Sequence, residues 1–90
     1  MKLYFEWDQT KNISNQAKHT ISFERAATIF NDPRAITLPD LEHSENEERW
    51  STLGSSSGGT LLVVIHTFQV LSSNTAAVRI MFPARRSFRF

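Results

Sequence analysis

Residues 60–67, TLLVVIHT, constrain the fold more than any other stretch. Five apolar residues run unbroken from Leu61 to Ile65, three of them β-branched, over a length that suits a strand. In an extended chain Leu62 and Val64 point to one face and Leu61, Val63 and Ile65 to the other. A strand that is apolar on both faces belongs in the middle of a sheet, so the rest of the chain must supply flanking strands and a covering layer.

The flanking sequence supplies both. KLYFEW at 2–7 reads as a first strand, and Asp8 as the N-cap of a helix over Gln9 to Lys18. Ile13 and Ala17 lie four apart on one face of that helix, with Asn15 and Lys18 keeping the opposite face polar. Ser22 caps a second helix, with Glu24 in its first turn and Phe23, Ala26, Ala27 and Phe30 at helical spacing. Asn31-Asp32-Pro33 stops it, because the residue before a proline avoids helical backbone. Ala35 to Leu38 is a short strand broken by Pro39, and Asp40 to Glu48 an acidic connection. Arg49 to Leu53 reads as a strand, Gly54 to Gly59 as a flexible hairpin loop, and Ala77 to Phe82 as the last strand after the turn Ser72-Ser73-Asn74. Pro83 is placed at the first position of a terminal helical turn. The order β-α-α-β-β-β-β predicts one α+β domain over residues 1–90, an antiparallel sheet with two N-terminal helices on one face.

Composition excludes several classes. With no cysteine there is no disulfide framework, thiol nucleophile or thiolate metal site. No apolar stretch approaches the roughly 18 residues of a membrane span. Glu6 and Asp8 follow the short apolar start too soon for a secretory signal, so the cytoplasm is the default compartment. The net charge of +1 hides an asymmetry: residues 50–90 hold four arginines and no acid, and three of those arginines fall in the last six residues. Such a block points to an anionic partner.

The chemistry-bearing candidates narrow accordingly. GSSSGGT at 54–60 lacks the lysine of a phosphate-binding loop and precedes a strand, so it cannot aim a helix N-terminus at a phosphate. DLEHSENEER at 40–49 has no fixed metal-ligand spacing and reads as a solvated acidic turn; no metal or cofactor is called for. No strand-to-helix elbow exposes a serine nucleophile. What remains is base-rich. Cleaving RNA without a metal requires activating the 2′-OH, neutralising the phosphorane and protonating the 5′ oxygen. Arg79, Arg85 and Arg86 suit the phosphate, His66 proton transfer, and Lys18 and His19 either proton transfer or RNA positioning.

Several strings resemble the BrnT toxin family. FEWD at 5–8, Lys11, Asn15, Lys18-His19, ISFERAATIF at 21–30 and Asp32-Pro33 resemble its opening. HSENEERW at 43–50, LG at 53–54 and LLVVIHT at 61–67 resemble its middle, and Arg79-Ile80 with Ala84-Arg85-Arg86 its close. The resemblance implies a RelE-like fold, a ribonuclease that halts translation, and a cognate BrnA-like antitoxin that alone reaches operator DNA. The leading reading assigns Arg79, Arg85, Arg86 and His66 to catalysis and Lys18, His19 and Arg49 to RNA, with Glu48 and Arg49 supporting the site or the antitoxin interface. The chain departs from the family at Gln69, in VLSSNTAA at 70–77, at Pro83 and at Ser87-Phe88, and it stops at Phe90 where the family runs on into a charged helix. The alternative reading is therefore a degenerate toxin, shortened at its C-terminus, that retains only antitoxin binding.

Overall fold

The doubly apolar segment becomes the twelve-residue strand β4 (Leu61–Ser72). It pairs antiparallel with β3 (Trp50–Ser55) on one side and β5 (Thr75–Arg85) on the other. A short strand β2 (Ile36–Pro39) adds antiparallel to β3, and the first strand β1 (Lys2–Glu6) adds to β5. The order β1-β5-β4-β3-β2 leaves β4 central, as its sequence requires. The computed structural model describes residues 1–44 and 46–85, with only the backbone of His43; Arg86 lies outside this range.

The expected all-antiparallel sheet is corrected at one edge, because β1 runs parallel to β5, Lys2 facing Thr75 through Glu6 facing Arg79. The short-connection argument holds for the meander β2 to β5 and has no grip on β1. Two helices follow β1, α1 (Gln9–His19) and α2 (Phe23–Ala27), and they carry the chain across the sheet to the far edge. The second helix is also shorter than its apolar spacing predicts, tightening at Thr28–Asn31 into a 3-10 turn.

The core lies between this helical layer and one face of the sheet: Ile21, Phe23, Ala26 and Ile29 pack on Leu62, Val64, Val78 and Ile80. Each large side chain buried there contributes about 1.5–3 kcal/mol of hydrophobic transfer. Gly54 admits the 3-10 turn against β3, since a Cβ there would stand 3.2 Å from Ile29 Cβ. The serine-glycine hairpin is tied down rather than loose. Ser57 N–H donates to Thr28 Oγ1 at 2.8 Å, and Ser55 N–H to Asp32 Oδ2 at 2.8 Å.

The first helix turns against expectation. Ile13 is 62% exposed, whereas Asn12 is fully buried. Asn12 Oδ1 accepts from Phe23 N–H at 2.9 Å, and its Nδ2 donates to Glu24 Oε1 at 2.6 Å. Phe23 opens α2, where a helix leaves its first N–H groups without internal partners. Satisfying such a donor outweighs burying one isoleucine on a helix this polar. Pro83 likewise departs from the predicted helical turn. It is buried within β5 opposite Val64, past Arg79, where β1 no longer pairs and a residue without N–H is tolerated.

Candidate functional site

Beyond Arg79, no strand flanks β5 on the β1 side among the described residues, and α1 runs beside it there instead. Between them lies a groove of about 410 Å³. Lys11, Ser14, Asn15, Lys18 and His19 line its helix wall, residues 81–84 its strand wall, and Phe23 its base. Lys11 and Lys18 stand seven apart, two turns of α1, so both fall on the groove side. Among the described residues no carboxylate lines the groove.

Local chemistry holds this wall in place. Asp8 Oδ1 accepts from Thr10 N–H at 2.8 Å and Lys11 N–H at 3.3 Å, starting α1 where β1 ends. Thr20 stops the helix in the left-handed region, at φ 57°, unusual for a β-branched residue. That conformation places the Thr20 hydroxyl between two partners: it donates to the His19 carbonyl at 2.6 Å and accepts from Arg85 Nη2 at 3.0 Å. Arg85 is thereby fixed at the end of α1 by a neutral group, and among the described residues no carboxylate pairs with it. On the strand side, the register shifts between Ile65 and His66. Ile65 faces Phe82 and His66 faces Ile80, which leaves Met81 as the extra residue of a bulge on the groove wall.

The structure brings together some of the expected site residues and separates others. Lys18 and His19 share the groove with Lys11, and Arg85 stands beside it, next in the chain to the lining residue Ala84 and bonded to Thr20 at the end of α1. Arg79 lies six residues along β5 from Arg85, about 20 Å in an extended strand, so the two cannot grip one phosphate. Arg79 lines a separate recess with Glu6, Trp7 and Asp8. Arg49 lies across the sheet, beside Glu47 and Glu48, and its Nη2 reaches Glu47 Oε1 at 3.4 Å; it is not part of the groove.

His66 is 2% exposed and sits edge-on to Phe30, with ring centroids 5.0 Å apart. Its Nδ1 faces the Thr67 carbonyl at 3.1 Å, so that nitrogen carries the proton and Nε2 accepts from Thr52 Oγ1 at 2.7 Å. Thr52 Oγ1 in turn lies 2.7 Å from Thr37 Oγ1. Burial pushes the imidazole below its ordinary pKa of 6.5, and the bond to Thr67 only partly opposes this. A neutral ring with both nitrogens engaged holds β3 against β4; it offers no proton to a ligand in the groove. Sequence reasoning left Lys11 and Thr20 out of the site. The seven-residue spacing to Lys18 was available for the first, whereas nothing local marks Thr20 as the anchor of an arginine 65 residues away.

A mixed sheet with helices on one face and a basic groove along one edge defines a small α+β domain built to meet an anion. The chain belongs to the BrnT family, ribonuclease toxins of type II toxin–antitoxin systems, whose family model matches residues 7–88. Its fold is similar to the crystal structure of the Brucella abortus ribonuclease toxin BrnT. The match covers 98% of this chain and 100% of that one, with 21% identity and a TM-score of 0.64. No curated protein matches the sequence.

Proposed function

We propose that the groove between α1 and β5 holds and cleaves RNA without a metal ion. The observation that carries this reading is that Lys11, Lys18 and His19 line one cleft with no carboxylate among its described lining residues, while Arg85 is held beside it at the end of α1. Arg85, with Arg86 beside it in sequence, grips the scissile phosphate and the charge that builds on it. Lys11 and Lys18 position the strand through neighbouring phosphates. The 2′-OH attacks the adjacent phosphorus, the bond to the 5′ oxygen breaks, and one proton leaves the 2′ oxygen while another reaches the 5′ oxygen. His19 is the exposed imidazole at the groove and carries one of those transfers, the kind of step worth about 10²–10⁴-fold in rate.

On this reading the chain is the toxin of its pair. It halts translation by cutting RNA in the cytoplasm and is neutralised by a BrnA-like antitoxin, through which alone the complex reaches DNA. The test is cleavage of a labelled RNA by the purified protein in EDTA, with and without the antitoxin. Cleavage that persists in EDTA, stops when antitoxin is added, and is lost in Lys18→Ala with Arg85→Ala supports the reading. Intact RNA despite antitoxin binding overturns it and leaves a protein that only binds.

A further inference from the structure

We propose that the recess lined by Glu6, Trp7, Asp8 and Arg79 is a guanine-reading site for the RNA strand held in the groove; this rests on the reading of the groove as an RNA site. The recess measures about 360 Å³. Glu6 and Arg79 are register partners across β1 and β5, yet among the described residues Arg79 closes no ion pair within 4.0 Å. Opposite charges therefore border one space without cancelling across it. Trp7 is fixed beside it, edge-on to Phe23 at 6.2 Å and donating from Nε1 to Gln9 Oε1 at 3.3 Å. Asp8, which also lines the recess, spends only Oδ1 on the cap of α1.

The occupant follows from that set of groups. The carboxylates repel a phosphate, and the guanidinium repels a metal ion. A flat body with donors on one edge and acceptors on another satisfies both sides, and nucleobases in single-stranded RNA are read in this way, on aromatic and arginine planes and along their edges. Guanine carries two adjacent acceptors, N7 and O6, for the fork of Arg79, as cytosine does at N3 and O2. It alone also carries adjacent donors, N1–H and N2–H₂, for the two oxygens of a carboxylate such as Glu6. Adenine and cytosine lack that donor pair, and uracil sets one donor between two acceptors.

Position agrees with chemistry. Asp8 precedes Lys11 by one turn, and Arg79 precedes Met81 by two residues of β5, so the recess adjoins one end of the groove. Arg85 marks the other end, about 20 Å along the strand. Guanine would thus be fixed to one side of the cut.

Two measurements test this. Cleavage of a randomised RNA pool, with fragment ends sequenced, should show guanine enriched at one fixed offset from the cut by about tenfold or more, the scale of one bidentate contact. Glu6→Gln or Arg79→Lys should spread the cuts over all four bases. Independently of activity, titration with guanosine monophosphate should shift the Trp7 indole N–H resonance, and adenosine, cytidine and uridine monophosphates should not. Cleavage without base preference, or an indole that responds equally to all four nucleotides, overturns the proposal while leaving the groove intact as the cleavage site. A guanosine-specific shift in a protein that cuts no RNA sustains the recess and removes the nuclease reading instead.

Discussion

The two edges of the sheet carry opposite charge. Along β5, Lys11, Lys18 and His19 line the groove and Arg85 stands beside it, with no carboxylate among the described lining residues. Along β2 and β3, a recess of similar size is bordered by Glu47 and Glu48, and its one arginine, Arg49, leans on Glu47. In sequence the acids and bases divide by halves, acidic before residue 50 and basic after. Folding divides them by edges. The bases of α1 come from the acidic half and reach β5 because β1 pairs in parallel beside it. An anion meets matched cations at one edge and repulsion at the other. On the proposed reading, charge sorted in space, rather than charge counted along the chain, decides which surface takes RNA.

The largest effect should come from reversing that contrast. Lys18→Glu with Arg85→Glu lowers kcat/KM for a labelled RNA by about a thousandfold or more, since losing the transition-state donor Arg85 costs about 10²–10³ and the new carboxylates repel the phosphates that Lys18 positioned. The opposite-edge pair, Glu47→Lys with Glu48→Lys, changes it by no more than about threefold. Circular dichroism confirms that both doubles fold. If the second pair changes cleavage as much as the first, RNA uses both edges and the comparison collapses.

The groove also depends on how α1 is docked. Asn12→Ala leaves the buried Phe23 N–H without its acceptor, and should cost about 1–3 kcal/mol in urea unfolding. Ile13→Ala, one residue away and exposed, should cost well under 1 kcal/mol. Equal losses would mean that α1 is held by its apolar face after all.

Asn12 also shows where sequence reading stops. The central strand was legible because five apolar residues leave β4 no edge position, and the caps Asp8 and Ser22 because a polar side chain before a helix has one clear use. The inward face of α1 was not, because an asparagine buried to satisfy another helix looks like a solvated one until its partner is placed. The parallel β1 was hidden for the same reason, its partner lying some 70 residues on. Lys18, His19 and Arg85 were recognisable by residue type and by family resemblance. That His66 and Arg79 stand apart from them depends on register, which the turn residues do not encode.

His66 gives a pH dependence of intermediate size. Its folded pKa lies below the ordinary 6.5, so the unfolded chain takes up the proton first as pH falls. Its contribution is full above pH 6.5 and is lost as pH drops from there toward the folded value. The urea midpoint should therefore fall between about pH 7.5 and about pH 5.5, and His66→Gln should flatten that slope. Asp32, lowered chiefly by the Ser55 N–H, acts in the same direction but only below 3.8, outside this window. A wild-type midpoint constant down to about pH 5.5 would show that the imidazole charges freely, and so that it is not enclosed.

The smallest effect concerns the two arginines that mark the edges. Arg49 meets Glu47 at 3.4 Å with side chains 26% and 46% exposed, a pair that solvent and salt weaken. Glu47→Gln should shift stability by less than about 0.5 kcal/mol. Thr20→Val removes the hydroxyl that steadies Arg85 and should slow cleavage by about threefold to tenfold, with little change in stability, because a neutral hydrogen bond at the surface is worth about 1 kcal/mol. The asymmetry is the point of the pair. Losing the carboxylate frees an arginine outside the groove, whereas losing the hydroxyl releases one that the proposed site uses. If Glu47→Gln cost more than about 1.5 kcal/mol, the acidic edge would be a structural clamp rather than a repulsive border. If Thr20→Val left cleavage untouched, Arg85 would find the phosphate without its anchor, and the left-handed turn would serve only to end the helix.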